Sequence, residues 1–176
     1  MATTDYINLR SLELEGRHPR DVGVWVNTPY RLAVGEGVPL SDDPRRDVIV
    51  DPDKDLPEPH RFVRADLERS QYYRIIRDSR EAERFLDKVA PALACAVYIY
   101  PSVVAPAEGR LTLPAIDEPR LPLTHSILLR EARKTWREFI FQNWWGIEWG
   151  DQGMGKMPYE YFNAYAFNCY ALYPPL

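Results

Sequence analysis

The chain has 176 residues, 45% of them hydrophobic, which is enough for one domain, or one and a half, with a substantial apolar core. A net charge of −4, a pI near 5.4 and the lack of a Lys/Arg run argue against a nucleic-acid-binding surface. No stretch approaches the roughly 18 apolar residues of a membrane helix, and the start lacks a signal-peptide pattern. Two cysteines do not make a disulfide framework. We therefore expect a cytoplasmic protein with reduced thiols and no membrane contact.

Two helices are predicted at the start of the chain. Residues 6–16 carry apolar residues at helical spacing, with Asp5 as a candidate N-cap and Gly16 at the end. Residues 20–34 form a second short helix candidate, which Pro29 limits.

Residues 41–59 are rich in aspartate and proline. The acidic cluster raises the alternative of a calcium site, but the spacing lacks the D-x-D-x-D-G loop and its terminal glutamate. A solvated loop is the better interpretation, and we take it as the crossing between two lobes.

The middle of the chain predicts a strand, a helix and a second strand. Residues 67–76 are aromatic and β-branched, which favours a strand. Residues 79–89 have helical spacing, with Ser79 as a possible N-cap. Residues 92–100 form a continuous apolar run, typical of a buried strand. Cys95 lies inside that run, so we interpret it as a small hydrophobic residue and not as a nucleophile.

The last third predicts a loop, a hairpin and a helical tail. Residues 101–122 contain further prolines and read as a loop, whereas 125–129 and 137–143 are expected to pair as antiparallel strands joined by 130–135. Aromatic residues then recur at helical spacing from Pro158, which is suited to the first helical position, to Cys169, which we interpret as core.

Residues 142–153 combine three tryptophans with three glycines. On the residues alone, this predicts a hairpin lid over the core. A phosphate-binding loop is rejected, although G-x-x-x-x-G-K is matched from Gly150 to Lys156. Met157 stands where Ser or Thr must bind magnesium, and Pro158 follows.

The sequence of this segment, NWWGIEWGDQG, resembles the NSWG..WG..G segment of papain-family cysteine peptidases. The resemblance implies that Asn143 orients the catalytic histidine. It also implies that Trp145 shields the Asn–His hydrogen bond from water, and that Trp149 supports Trp145. Gly146 matches the glycine after the shielding tryptophan.

The sequence after this segment is similar to the GYGYLPYEYF run of bacterial members of the family. Two residues depart from the family pattern: Trp144 replaces the usual serine, and Met154 replaces the usual aromatic residue. The family places its histidine on a strand less than twenty residues before the asparagine, and His125 begins such a strand, 18 positions before Asn143 (143 − 125 = 18).

No residue matches the family nucleophile. In the family, a Q-G-x-x-x-S-C-type segment places the cysteine at the start of a buried helix, where the helix dipole and a nearby His⁺ lower its pKa. The only cysteines here are Cys95 and Cys169, and the first glutamine is Gln71. We therefore expect the chain to begin just after the nucleophile helix.

The resemblance implies an α+β, papain-like fold with a partial helical lobe and an antiparallel β lobe. The implied divisions are residues 1–60 for the helical-lobe remnant and crossing loop, 61–157 for the β lobe with the His/Asn site, and 158–176 for a tail that packs back on the helical lobe. No cofactor or metal is expected.

Two functional hypotheses remain open. In the first, the chain supplies the His/Asn half of a thiol-protease site, and a complementing chain or missing segment supplies Cys and Gln. In the second, the chain is an inactive pseudopeptidase that binds a peptide or protein, or serves as a structural module. Alone, the chain is expected not to hydrolyse peptides.

Overall fold

A computed structural model of the protein describes residues 2–18, 21, 23–39, 67–89, 92–104 and 106–173. The chain divides into two compact units, Met1–Tyr73 with Leu172–Leu176 and Arg74–Ala171, and only the residues given above are described within them. The predicted crossing loop at 41–59 lies outside the described residues. The predicted divisions 1–60, 61–157 and 158–176 stay predictions.

The first unit begins with helix α1, Ala2–Leu14. The Gly16 N–H donates to the Glu13 carbonyl at 3.0 Å and the Arg17 N–H to the Leu12 carbonyl at 2.9 Å, which is the Schellman arrangement that ends a helix. The predicted helix is therefore present and ends as expected. Asp5 lies inside the helix because α1 begins at Ala2, so its prediction as the N-cap is wrong.

Helix α2, Thr28–Gly35, is shorter than the predicted segment 20–34. It begins where Pro29 fits the first turn. The N–H groups of a first turn have no acceptor within the helix, so the missing N–H of proline costs no hydrogen bond there. The Arg10 guanidinium makes two hydrogen bonds, of 2.8 and 2.6 Å, to the Glu36 carboxylate just after α2. This bidentate pair joins α1 to the end of α2.

The predicted strand at 67–76 is two strands, β2 (Leu67–Glu68) and β3 (Tyr73–Ile76). The intervening backbone is bonded elsewhere, because the Ser70 N–H donates to the Ala33 carbonyl and the Gln71 N–H to the Tyr173 carbonyl. Strand β2 instead pairs antiparallel with a short strand formed by the two residues of β1, Val38–Pro39.

The second unit contains helix α3, Ser79–Lys88, which buries Ala82 and Phe85. Its N-cap is Asp78, whose side chain accepts a 2.8 Å hydrogen bond from the Glu81 N–H. Ser79 was predicted as the cap and is instead the first helical residue, and its N–H donates to the Asn163 side chain at 2.9 Å.

A six-stranded sheet forms the body of this unit, in the order β3-β8-β4-β5-β6-β7. Its further strands are β4 (Leu93–Tyr98), β5 (Thr124–Arg133), β6 (Glu138–Gln142), β7 (Met154–Pro158) and β8 (Ala166–Leu172). Strand β4 pairs antiparallel with both β5 and β8, and the same holds for β5 with β6 and for β6 with β7. The α+β class predicted from the sequence is confirmed.

The β5–β6 hairpin is longer than predicted. Strand β5 runs to Arg133, and a 3₁₀ turn at Lys134–Trp136 with Arg137 in the left-handed region (φ 52°) makes the connection placed at 130–135. The buried carboxylate of Glu138 stabilises the extension. Its Oε1 lies 3.8 Å from Nη1 of Arg133, and its Oε2 lies 2.6 Å from Nη1 of Arg110.

The predicted helical tail ends early. Helix α4, Pro101–Val104, begins the segment that was predicted as a loop. Helix α5 spans Tyr159–Tyr165, and the chain then becomes strand β8. Strand β8 pairs with β4 through Ala94–Tyr170 and Val97–Ala166, so long-range backbone pairing overrides the local helical spacing. Cys169 is buried, as the sequence indicated, but in a strand.

Candidate active site

His125 and Asn143 form a buried hydrogen-bonded pair. His125 is the second residue of β5, lies opposite Val97 of β4 and is 6% exposed. Asn143 follows the last residue of β6, and its N–H donates to the Gly153 carbonyl at 2.8 Å. The hairpin brings Nε2 of His125 to 2.8 Å from Oδ1 of Asn143.

The hydrogen bonds of Asn143 define the tautomer of His125. Oδ1 of Asn143 also accepts the N–H of Trp144 at 2.8 Å, which identifies it as the carbonyl oxygen of the amide. A carbonyl oxygen requires a donor, so Nε2 of His125 carries the proton. Nδ1 is then the nitrogen that can take up a proton, as a general base must.

Two tryptophans cover this pair. The indole of Trp145 stacks on the His125 ring with centroids 4.3 Å apart and an interplanar angle of 29°. Trp149 meets Trp145 edge-on at 5.9 Å, and its indole N–H donates to the Val104 carbonyl at 3.0 Å. Burial lowers the pKa of His125 below its usual value, and the Asn143 hydrogen bond partly offsets that effect.

Backbone hydrogen bonds fix the loop that carries the tryptophans. The Trp149 N–H donates to the Gly146 carbonyl at 3.3 Å, and the Gly153 N–H donates to the Trp149 carbonyl at 2.8 Å. Gly146 has φ +95°, a backbone conformation that strains any residue with a Cβ. The predicted supporting residues Trp145, Gly146 and Trp149 therefore belong to one hydrogen-bonded turn beside His125.

The loop also packs directly on a neighbouring segment. A Cβ at Gly150 would lie 2.4 Å from the Met154 carbonyl oxygen and 3.3 Å from Cα of Gly109. Gly109 ends a 3₁₀ turn at Ala107–Gly109, and the following Leu111 N–H donates to the Lys156 carbonyl at 2.8 Å. The two loops therefore meet backbone to backbone.

Trp144, the departure from the family serine, stands beside the histidine with its side chain outward. It is 73% exposed, and its ring centroid lies 5.5 Å from that of His125. It lines a groove of about 330 Å³ together with Ala94, Ser126, Ile127, Leu128, Gln142 and Asn143. This groove was not predicted, and the small residues on its adjacent strands, Ala94 and Ser126, are a weak sequence signal for it.

Neither cysteine is placed as a nucleophile. Cys95 and Cys169 are both buried, in β4 and β8. The neighbouring Cys169 thiol and burial both raise the pKa of Cys95, which disfavours the reactive thiolate. No group of three or more His, Cys, Asp or Glu residues in the described ranges is arranged to hold a metal ion. No helix there combines the length and apolar character needed to cross a bilayer.

Comparison with known proteins identifies the fold. No protein-family model matches the chain, and no curated protein matches it by sequence. The chain has the papain-like fold, which all the cysteine-protease structures named below share, so the fold predicted from the sequence is confirmed.

Three solved structures illustrate the match. The cysteine protease xylellain of Xylella fastidiosa is 19% identical with a TM-score of 0.78, covering 99% of this chain and 70% of that one. Digestive procathepsin L 3 of Tenebrio molitor is 16% identical at 0.63, covering 99% and 55%. Bromelain of Ananas comosus, in complex with the E64 inhibitor, is 11% identical at 0.65, covering 98% and 78%. The chain thus spans between about half and four fifths of these proteins.

Proposed function

We propose that this chain supplies the histidine–asparagine half of a cysteine-peptidase site. The observation that carries the proposal is the buried 2.8 Å hydrogen bond between His125 and Asn143 under the stacked indole of Trp145. This arrangement holds one tautomer of a histidine and keeps water from its hydrogen bond, which are the two things that a general base of this kind needs.

In this mechanism, Nδ1 of His125 takes the proton of a cysteine thiol as the thiolate attacks the carbonyl carbon of a peptide bond. The imidazolium then gives that proton to the leaving amine, and an acyl-enzyme remains. His125 next takes a proton from the water that attacks the acyl group and returns it to the thiol as the acid is released. Asn143 keeps the ring oriented through both cycles.

The thiol must come from outside the described residues of this chain, because Cys95 and Cys169 are buried in the sheet. We assign it, with a glutamine for the oxyanion hole, to a complementing chain or segment. The groove that ends at Asn143 and Trp144 supports this assignment, since it offers apolar surface beside the catalytic pair. The same proposal places the protein in the cytoplasm, where thiols stay reduced.

The alternative is a pseudopeptidase that binds a peptide or protein without cutting it. The exposed indole of Trp144 favours it, because a large apolar side chain beside a histidine is suited to binding a partner. Met154, the second departure, is half-buried in β7 opposite Gln142. Both hypotheses use the same surface and differ in whether a thiol reaches His125.

The test is a pulldown of the tagged protein from its native lysate, followed by labelling with a thiol-reactive epoxide. A co-purifying chain that takes the label, and loses it when His125→Ala replaces the wild type, supports the split peptidase. The exposed His18 provides the matched control, because His18→Ala must leave labelling unchanged. A stable partner without label supports the pseudopeptidase, and the absence of any partner overturns both the complementing chain and the partner-binding pseudopeptidase.

A further inference from the structure

Gly155 lies in the edge strand β7, opposite Phe141 of β6. The Phe141 ring lies across its backbone. A Cβ at position 155 would be 2.3 Å from Cζ and 2.6 Å from Cε1 of Phe141, and 2.9 Å from Cη2 of Trp149. Contacts that short do not occur, so both aromatic rings occupy space that only glycine leaves open.

The rings that meet at Gly155 lead to the candidate active site by a continuous series of contacts. Phe141 and Trp149 have centroids 5.6 Å apart, and Trp149 meets Trp145 edge-on at 5.9 Å. Trp145 stacks on His125 at 4.3 Å. Phe141 is buried and the two tryptophans are half-buried, so a displaced Phe141 ring presses on Trp149, the next ring in the series.

We propose that Gly155 is a positioning residue for His125. Its missing side chain lets Phe141 cover the edge strand and support Trp149 from behind, and Trp149 in turn holds Trp145 against the imidazole. A phenylalanine that packs over a glycine in an edge strand is a known way to stabilise such a strand. Here the same packing also sets the position of a catalytic group.

The catalytic meaning of this role rests on the proposed function, but its test does not need activity. The variant Gly155→Ala forces the Phe141 and Trp149 rings to shift. We expect the Trp145–His125 stack to loosen, which moves the His125 ring-proton resonances downfield as they leave the shielding face of the indole. The His125 titration midpoint, followed by NMR, is expected to rise because burial lowers its pKa.

Two further variants separate positioning from a general loss of stability. Gly35→Ala is the matched control, because a Cβ at Gly35 meets nothing within 4 Å. Phe141→Leu removes Cζ and Cε1, the two atoms nearest the added methyl group. If Gly155 acts through Phe141, then Ala at position 155 adds little to the changes that Phe141→Leu causes alone, so the effects of the two substitutions are not additive.

The expected result is a shifted His125 spectrum in Gly155→Ala, an unchanged spectrum in Gly35→Ala, and non-additivity with Phe141→Leu. Unchanged His125 resonances in a folded Gly155→Ala protein would overturn the proposal. If that variant does not fold, the comparison of Phe141→Leu with the double variant decides, and additive His125 shifts there overturn it. If the His125 spectra change as expected but the epoxide labelling fails, the result counts against the proposed function and not against the positioning role of Gly155.

Discussion

His125 and Asn143 are 18 residues apart in the chain, and their side chains meet at 2.8 Å. The β5–β6 hairpin creates this contact, because the pairing of Leu128 with Gln142 leaves Asn143, the residue after β6, close to His125 near the start of β5. Asn143 accepts hydrogen bonds from both His125 and its own neighbour Trp144. The amide is therefore oriented before any substrate or partner arrives.

Substitutions of Asn143 are expected to move the pKa of His125 in opposite directions. Asn143→Leu keeps the volume and removes the hydrogen bond that favours the charged ring, so the pKa falls further. Asn143→Asp puts a negative charge on the same atom position, so the pKa rises. NMR titration of the ring protons measures both changes, and shifts in the same direction would contradict the assigned contact.

The protein is expected to lose stability as the pH falls below about 6.5. The pKa of His125 is 6.5 when unfolded and lower when folded, so in that range the unfolded state binds more protons. The free energy of unfolding then falls by at most about 1.4 kcal/mol for each pH unit between the two pKa values. Urea denaturation at several pH values measures the slope.

His125→Gln is the control for that experiment, because it removes the titrating ring and leaves the other histidines. Above pH 7, the difference in free energy of unfolding between variant and wild type should not change with pH. Below pH 6.5, this difference should change as the wild-type His125 titrates. Carboxylates act in a lower range: Arg137 lowers the pKa of Glu160 below 4.5, so its contribution is lost only as the pH falls further. Equal slopes in both proteins between pH 6.5 and 4.5 would show that His125 is not the group responsible.

The two cysteines are expected to resist thiol reagents in the folded protein. Both are buried, and the pKa of Cys95 is raised by Cys169 and by burial. Reaction with a chromogenic disulfide reagent should be slow in buffer and consume two equivalents in denaturant. Fast reaction in buffer would place a thiol at the surface, and epoxide labelling of this chain itself would then have to be excluded in the pulldown.

The hydroxyl of Tyr161 is expected to contribute measurably to stability. Tyr161 is fully buried in α5, and its hydroxyl donates to the Tyr98 carbonyl at 3.0 Å. Tyr161→Phe leaves that carbonyl without this donor, which should lower the free energy of unfolding by about 1–2 kcal/mol. Tyr165→Phe is the control, because it keeps the ring contacts with Tyr100 and Tyr161. Equal effects of the two substitutions would contradict the role of the hydroxyl.

Local patterns predicted the types of most elements in the second unit. The spacing of Ala82 and Phe85 defines α3, and the apolar run around Cys95 defines β4. The cap of α3 was misplaced by one residue because Asp78 and Ser79 are both capable N-caps. In the structure Asp78 caps the helix, and the Ser79 N–H is bound by Asn163, 84 positions away, a contact that no local pattern shows.

Long-range pairing explains what the sequence did not predict. The residues from Tyr159 to Cys169 keep helical spacing, yet only Tyr159–Tyr165 is helical, since β8 completes the sheet beside β4. The His125–Asn143 pair was predicted from the resemblance of the tryptophan segment and of the strand at His125 to the papain family. The groove beside Trp144 and the packing of Phe141 over Gly155 bring together residues from different strands, so local patterns do not predict either one.

The backbone contact between Gly109 and Gly150 has a consequence for protein engineering. A designer who transplants the tryptophan loop into another scaffold, or shortens it, has to carry the 106–111 segment along, because each loop is the other's packing surface. The smallest graftable unit is therefore a pair of discontinuous segments. Insertions beside Gly109 or Gly150 are expected to be poorly tolerated, because they disturb the close approach of the two backbones.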